Sequence, residues 1–216
     1  MSDSSLRLTE IFYSLQGESN FAGLPTVFVR LTGCPLRCVY CDTAYAFEGG
    51  ERWAFKDILA EVAKQGTKYV CVTGGEPLAQ PACLDLLKLL CDEGFVVSLE
   101  TSGAISIEEV DHRVFKVMDL KTPSSNESRR NLWSNIPLLS GQDQLKFVVG
   151  SEQDFDWLES KVIEHNLIER VSDVLVSPVF ESYSLEKLAN RVLKSGLRLR
   201  MQVQLHKLVW NDARGK

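Results

Sequence analysis

Val27-Phe-Val-Arg-Leu-Thr-Gly-Cys34-Pro-Leu-Arg-Cys38-Val-Tyr-Cys41-Asp-Thr43 carries the reading of the whole chain. Val27 to Leu31 is a β-rich run, and Pro25 is acceptable just before a strand. Three cysteines follow at once, so they sit in a loop at that strand's C-terminal end. Three residues and then two separate them, which lets one short loop turn all three sulfurs toward a common point. Thiolates are the usual ligands of iron–sulfur clusters, and a 4Fe–4S cube has four irons to satisfy. Three protein thiolates leave the fourth iron open for an external ligand, as a catalytic cluster requires. Two other readings stay open on spacing alone: a zinc loop with a distant fourth ligand, and three unrelated core cysteines. Structural zinc sites typically use four protein ligands in paired CxxC groups, which weighs against the first.

Downstream, Tyr69 to Val72 is a short strand ending in Thr73-Gly-Gly-Glu-Pro77. Two adjacent glycines let a backbone approach a ligand closely, and Glu76 offers an acceptor for an ammonium group. By itself the element is no more than a strand-to-helix turn. Upstream, Leu6 to Phe12 reads as a first strand leading into Ser14-Leu-Gln-Gly-Glu18. Gln16 presents a donor and an acceptor that suit the amide edge of a pterin or purine, and Glu18 can accept from ring N–H groups. Arg30 is a planar fork for a carboxylate. The plain alternatives are a polar loop and a surface salt bridge.

Helical spacing recurs from Ala54 to Gln65 through Phe55, Ile58, Leu59 and Val62, and from about Pro81 to Glu93 through Leu84, Leu87 and Leu90. Gly66 and Gly94 supply the stops. Phe95 to Leu99, Phe115 to Leu120, Leu145 to Val149 and Val174 to Val176 read as strands, and Leu197 to Leu205 as a closing one. Two further helices carry Phe155, Leu158, Val162 and Ile163, then Leu185, Leu188, Val192 and Leu193. Strands alternating with helices argue for parallel βαβ units. Almost every unusual polar motif follows a strand, and the C-terminal rim is where α/β barrels assemble their sites. About six units fit a partial, incomplete TIM-like barrel better than an eightfold one. Residues 1–216 read as a single domain, with Thr122 to Gly141 as its mobile or inserted stretch.

The chain has 216 residues, 44% of them hydrophobic and 25% charged, enough for one sizeable core. A net charge of −5 speaks against direct nucleic-acid binding. No apolar run reaches membrane-spanning length, and the polar start does not read as a signal peptide, so a cytoplasmic enzyme is expected. Cys71, Cys83 and Cys91 lack compact ligand spacing and read as small apolar residues. His112 and His165 read as solvated.

The cysteine loop with Tyr40 before its last cysteine, together with GGEP, resembles the radical S-adenosylmethionine (SAM) superfamily. There SAM chelates the open iron, and reduction cleaves it to a 5′-deoxyadenosyl radical that takes hydrogen from substrate. EIFYSLQGE, Arg30, CxxxCxxCDT, TGGEP, ETSG, DLKTPSS and QLHK narrow the resemblance to the 7-carboxy-7-deazaguanine synthase family. That resemblance implies a shortened radical SAM barrel and a carbon–nitrogen lyase. The reaction would convert 6-carboxy-5,6,7,8-tetrahydropterin to 7-carboxy-7-deazaguanine with loss of ammonia, early in queuosine and 7-deazapurine biosynthesis. It also implies the site. Cys34, Cys38 and Cys41 ligate the 4Fe–4S cluster. Tyr40, Cys41, Asp42, Gly75, Glu76, Glu100 and Ser102 contact SAM, with Lys121, Pro123 and Ser124 as further SAM-pocket residues. Leu15, Gln16, Gly17, Glu18, Arg30 and Thr73 bind substrate, and Thr43 binds Mg2+, which holds the substrate carboxylate.

Two departures from the family pattern stand out: Ser19 replaces a second glycine, and the tail lacks a terminal proline. His206 and Lys207 stay unassigned for the latter reason. The resemblance further implies a homodimer and an electron donor such as flavodoxin or ferredoxin. The competing readings are an activating enzyme for glycyl-radical proteins, an iron–sulfur electron carrier and a zinc-stapled binding module. The carrier and the zinc module leave TGGEP unexplained, and the activating enzyme has no need of the LQGE loop or Arg30.

Overall fold

The computed structural model describes residues 4–211 and 213–216. Its strands are β1 (Ser5–Leu15), β2 (Pro25–Leu31), β3 (Glu51–Ala54), β4 (Tyr69–Gly74), β5 (Val96–Thr101), β6 (Phe115–Asp119), β7 (Gln144–Val149), β8 (Asp173–Pro178) and β9 (Leu199–Met201). The helices are α1 (Phe55–Ala63), α2 (Cys83–Asp92), α3 (Glu152–Glu164), α4 (Leu185–Ser195) and α5 (Leu205–Trp210). One sheet holds all nine strands in the order β3-β1-β2-β4-β5-β6-β7-β8-β9. β1 runs antiparallel to β2 and β3, whereas β2 and β4 through β9 are parallel. β3 and β9 end the order without pairing to each other, so the barrel is partial, as expected.

The central strands are apolar nearly throughout, as parallel strands buried on both faces must be. Leu6, Val29, Val72 and Leu99 pack with Ile58, Val62, Leu86 and Leu90 of α1 and α2. Phe147, Val149 and Val176 pack with Phe155, Leu158 and Leu188 of α3 and α4. Cys71 and Cys83 are fully buried in the first of these clusters or beside it. Ser151 and Ser184 cap α3 and α4 through their hydroxyls, and left-handed Gly196 stops α4.

The loop between β1 and β2 plugs the interior from below. Phe21 packs on Tyr69 and Phe115, the first residues of β4 and β6. Asn20 bonds Gln144 and Asp173, the first residues of β7 and β8. The Gln16-Gly-Glu18 motif therefore enters from the N-terminal ends of the parallel strands, opposite the expected rim. The reason is that β1 is antiparallel, so the residues after it emerge at the other end.

Several local expectations are corrected. β3 pairs with β1 although its four residues carry no strand pattern. The closing strand is three residues long, and α5 occupies what reads as its end. Ile163 and Leu193 point outward, at 69% and 81% exposure, because the buried faces of α3 and α4 are narrower than the apolar spacing suggests. No α-helix links β5 to β6, and three short 3-10 turns replace one between β6 and β7. The 122–141 stretch is pinned rather than loose. Buried Asn135 donates to the carbonyls of Gly103 and Ile105 and accepts from Ile107 N–H. His165 is half-buried and stacks on Trp133 at 4.3 Å instead of standing in solvent. No helix among the described residues is long and apolar enough to cross a membrane.

Candidate active site

Inside the curve of the sheet lies a cavity of about 770 Å3. Cys34, Cys38 and Cys41 line it as half-buried free thiols. Their loop is tied down on all sides. Gly33 N–H donates to Ala46 O at 2.8 Å, Arg37 N–H to Glu127 at 2.6 Å and Val39 N–H to Ser125 O at 3.2 Å. The Arg37 guanidinium donates to the carbonyls of Cys34 and Leu36 and lies over the Phe47 ring. Burial pushes all three thiols up, Cys38 to about 11, so bound cations are what this setting needs to hold them as thiolates. Among the described residues no three Cys, His, Asp or Glu converge on a single-ion site. A cube takes each thiolate on a different iron, and three thiols of one loop on one cavity suit a cube whose fourth iron stays open.

Thr73-Gly-Gly-Glu-Pro77 lies flat against that loop. A Cβ at Gly74 would stand 2.6 Å from Leu31 O, and one at Gly75 would stand 2.3 Å from Gly33 O and 2.8 Å from Cys34 Cβ. Gly75 is thus a steric requirement of the cluster loop, and Gly74 of the end of β2 that leads into it. Glu76 departs from its expected role as a free acceptor. It is fully buried, and its carboxylate accepts from Leu78 N–H, Thr101 Oγ1, Ser102 N–H and Ser102 Oγ. A buried carboxylate needs such donors to survive desolvation, and these bonds clamp the end of β4 to the end of β5. The cavity wall there consists of Gly74, Gly75, Thr101 and Ser102 instead.

Polar residues converge in the depth of the cavity. Gln16 donates to Glu100 Oε1 at 3.3 Å, and Thr73 Oγ1 donates to Glu100 Oε2 at 3.3 Å. Burial and the nearby Glu18 raise the pKa of Glu100. Arg30 is fixed by Nε to Glu10 at 2.8 Å and lies beside the rings of Phe12 and Tyr45. Glu10 also accepts from Tyr45 O–H, so the plain alternative for Arg30, a surface salt bridge, gives way to a half-buried bracket. Leu15, Gly17 and Glu18 complete this end. Near the cysteines, Tyr40 O–H reaches Thr122 Oγ1 and Val148 O, and burial pushes its pKa up to about 12. Thr43 Oγ1 donates to Asp42, whose other oxygen meets Lys207 at 3.2 Å. Lys121 pairs with Asp119 at 2.9 Å, and Asn131 clasps the Lys121 backbone from both sides. Pro123 and Ser124 lie off the cavity wall, since Ser124 N–H bonds Asp154 at the start of α3.

Residues 28–116 match the Radical SAM superfamily. A 7-carboxy-7-deazaguanine synthase of Chlorobaculum tepidum is 43% identical, with 99% of this chain and 98% of the relative covered. One from Thermoplasma acidophilum is 38% identical over 96% of this chain and 99% of its own length. The chain belongs to the 7-carboxy-7-deazaguanine synthase family. The crystal structure of QueE from Escherichia coli shares the fold with a TM-score of 0.77 at 24% identity, over 94% of this chain and 95% of that one. Members of this family are radical SAM enzymes, and membership brings a 4Fe–4S cluster and SAM. The cysteine loop, as described, fits the first.

In this 7-carboxy-7-deazaguanine synthase family member, sequence reading passed over Lys146, Asp119 and the covering role of α5. Lys146 lines the cavity and pairs with Glu18. Burial opposes its charge, but Glu18, Asp119 and Glu100 outweigh burial and raise its pKa. One signal was available: a lysine inside the apolar run Leu145-Lys-Phe-Val-Val149 has no place in a buried strand without a partner. No local signal marks α5. Leu205 N–H donates to Gly17 O at 3.0 Å, and His206 packs so closely that a Cβ on Gly17 would lie 2.1 Å from its Nδ1.

Proposed function

We propose that this chain converts 6-carboxy-5,6,7,8-tetrahydropterin to 7-carboxy-7-deazaguanine with loss of ammonia, within queuosine and 7-deazapurine biosynthesis. One observation carries the reading: three free thiols of one loop open onto the same chamber as Gln16, Glu18, Arg30 and Thr73. In this reading Cys34, Cys38 and Cys41 hold the cluster, which supplies the electron for radical generation from SAM. Tyr40, Asp42, Gly75, Ser102 and Lys121 shape the SAM pocket next to it. Glu100, a SAM-contacting residue in this reading, has its carboxylate held by the substrate-side residues Gln16 and Thr73.

Arg30, already aimed by Glu10, presents its remaining N–H groups to the substrate carboxylate. Gln16 and Glu18 meet the ring edge, and Thr43 offers an oxygen to Mg2+, which would complete its shell with substrate and water. The plug below and α5 beside it keep bulk water from the substrate. We place the protein in the cytoplasm as a homodimer, without direct nucleic-acid contacts and fed by a donor such as flavodoxin or ferredoxin.

Anaerobic reconstitution followed by dithionite, SAM, Mg2+ and 6-carboxytetrahydropterin tests this. A carboxydeazaguanine product without stoichiometric SAM loss is expected, and Cys38→Ala should abolish it. SAM cleavage with an untouched pterin would leave the radical chemistry standing and sink the substrate assignment.

A further inference from the structure

Lys146 sits in mid-β7 with its side chain 12% exposed, and its Nζ engages Glu18 Oε2. Glu18 Oε1 is buried and has no hydrogen-bond partner among the described residues. Both side chains line the cavity. One carboxylate oxygen is thus occupied from β7, while its twin is an acceptor still in want of a donor. Gln16 cannot supply one. Its Oε1 accepts from Glu18 N–H, which turns its amide so that Nε2 points to Glu100.

We propose that Lys146 is a positioning residue: by pairing with Oε2 it fixes the Glu18 side chain and aims Oε1 at the N–H edge of a 2-amino-4-oxopyrimidine ring. The pair then selects a 2-amino ring over a 2-oxo ring, whose C2 oxygen offers Oε1 no hydrogen. This rests on the pterin reading above.

The surroundings explain why a cation is needed. Glu18 is faced by Lys146 from β7, Glu100 from β5 and His206 from α5, with Asp119, Arg30 and Asp42 close around them. Without Lys146, Glu18 and Glu100 are two buried carboxylates side by side, and Glu18 loses the donor that fixes the plane of its carboxylate.

The test uses the reconstituted, unreduced protein and two stable probes, pterin-6-carboxylate and its 2-oxo counterpart, lumazine-6-carboxylate. Fluorescence titration near pH 7 gives both affinities. The wild type should prefer the 2-amino probe. Lys146→Met should weaken its binding roughly 10- to 100-fold, the worth of a hydrogen bond to a charged group, and narrow the preference over the 2-oxo probe.

Lys146→Arg should keep the preference. The Lys146→Met, Glu18→Gln double variant should bind the 2-amino probe no more weakly than Glu18→Gln alone, which separates this role from a folding defect. Lys146→Met with wild-type affinity and preference overturns the inference alone. If the wild type binds neither probe, the substrate reading falls and the inference with it.

Discussion

Gly75 and Glu76 show how differently two neighbours in one motif act. Gly75 is needed for the absence of a side chain, because backbone and Cys34 Cβ occupy the place of its Cβ. Gly75→Ala should therefore push the cysteine loop away from β4 and cost about 1–3 kcal/mol, the usual range for overpacking. The iron content after reconstitution should fall well below the wild type, which elemental analysis can measure. Unchanged stability and iron content would show that the loop can yield. Glu76, by contrast, is consumed by the fold, and only the surrounding donors reveal it. Ser19 is a similar case. Its φ of 64° lies in the left-handed region that favours glycine, while Gln202 bonds both its N–H and its carbonyl. Arg30 and Lys146 were legible as charges inside apolar strands, but their partners Glu10 and Glu18 are distant in sequence and emerge only on folding.

Beyond their shared apolar cluster, helices α3 and α4 are joined through Arg191. It reaches Glu152 and Asp156 at 2.7 Å and Glu159 at 3.0 Å, and lies over the Phe155 ring at 4.4 Å. The charges are partly exposed, so solvent limits what they contribute. Arg191→Ala should cost only about 1 kcal/mol at neutral pH in urea unfolding. Hydrogen bonds from Tyr183 and then Arg191 lower the pKa of Glu152 from 4.5. A depressed carboxyl pKa stabilises the fold above the unfolded value and ceases to do so as pH falls through the folded one. The gap between wild type and variant should thus narrow below about pH 4.5. A constant gap would assign the effect to packing on Phe155. Periodicity located both helices but not their outward apolar residues, since spacing alone cannot say how wide a face the sheet will cover.

At the scale of the molecule, an open sheet becomes a chamber through two additions, the plug from the β1–β2 loop and the cover from α5. The cover is held mainly by polar contacts, Leu205 N–H to Gly17 O and Lys207 to Asp42, while Leu208 and Val209 are 60% and 52% exposed. A chain ending at Gln204 should therefore still unfold cooperatively, within a few degrees of the full chain, roughly the shift for 1 kcal/mol. Its affinity for pterin-6-carboxylate should drop by about tenfold or more, equivalent to at least ~1.4 kcal/mol. Loss of cooperative folding would make α5 part of the core instead. The βα alternation, the three-cysteine loop and the glycines beside it were determined by sequence alone, because strand burial, helical period and ligand spacing act over a few residues. Tertiary structure decided the rest. The antiparallel first strand carried Gln16 and Glu18 in from below, β7 brought Lys146 to Glu18, and the last residues folded over Gly17 as a helix. Each of these depends on contacts between segments far apart in the chain, where burial and pairing outweigh local preference.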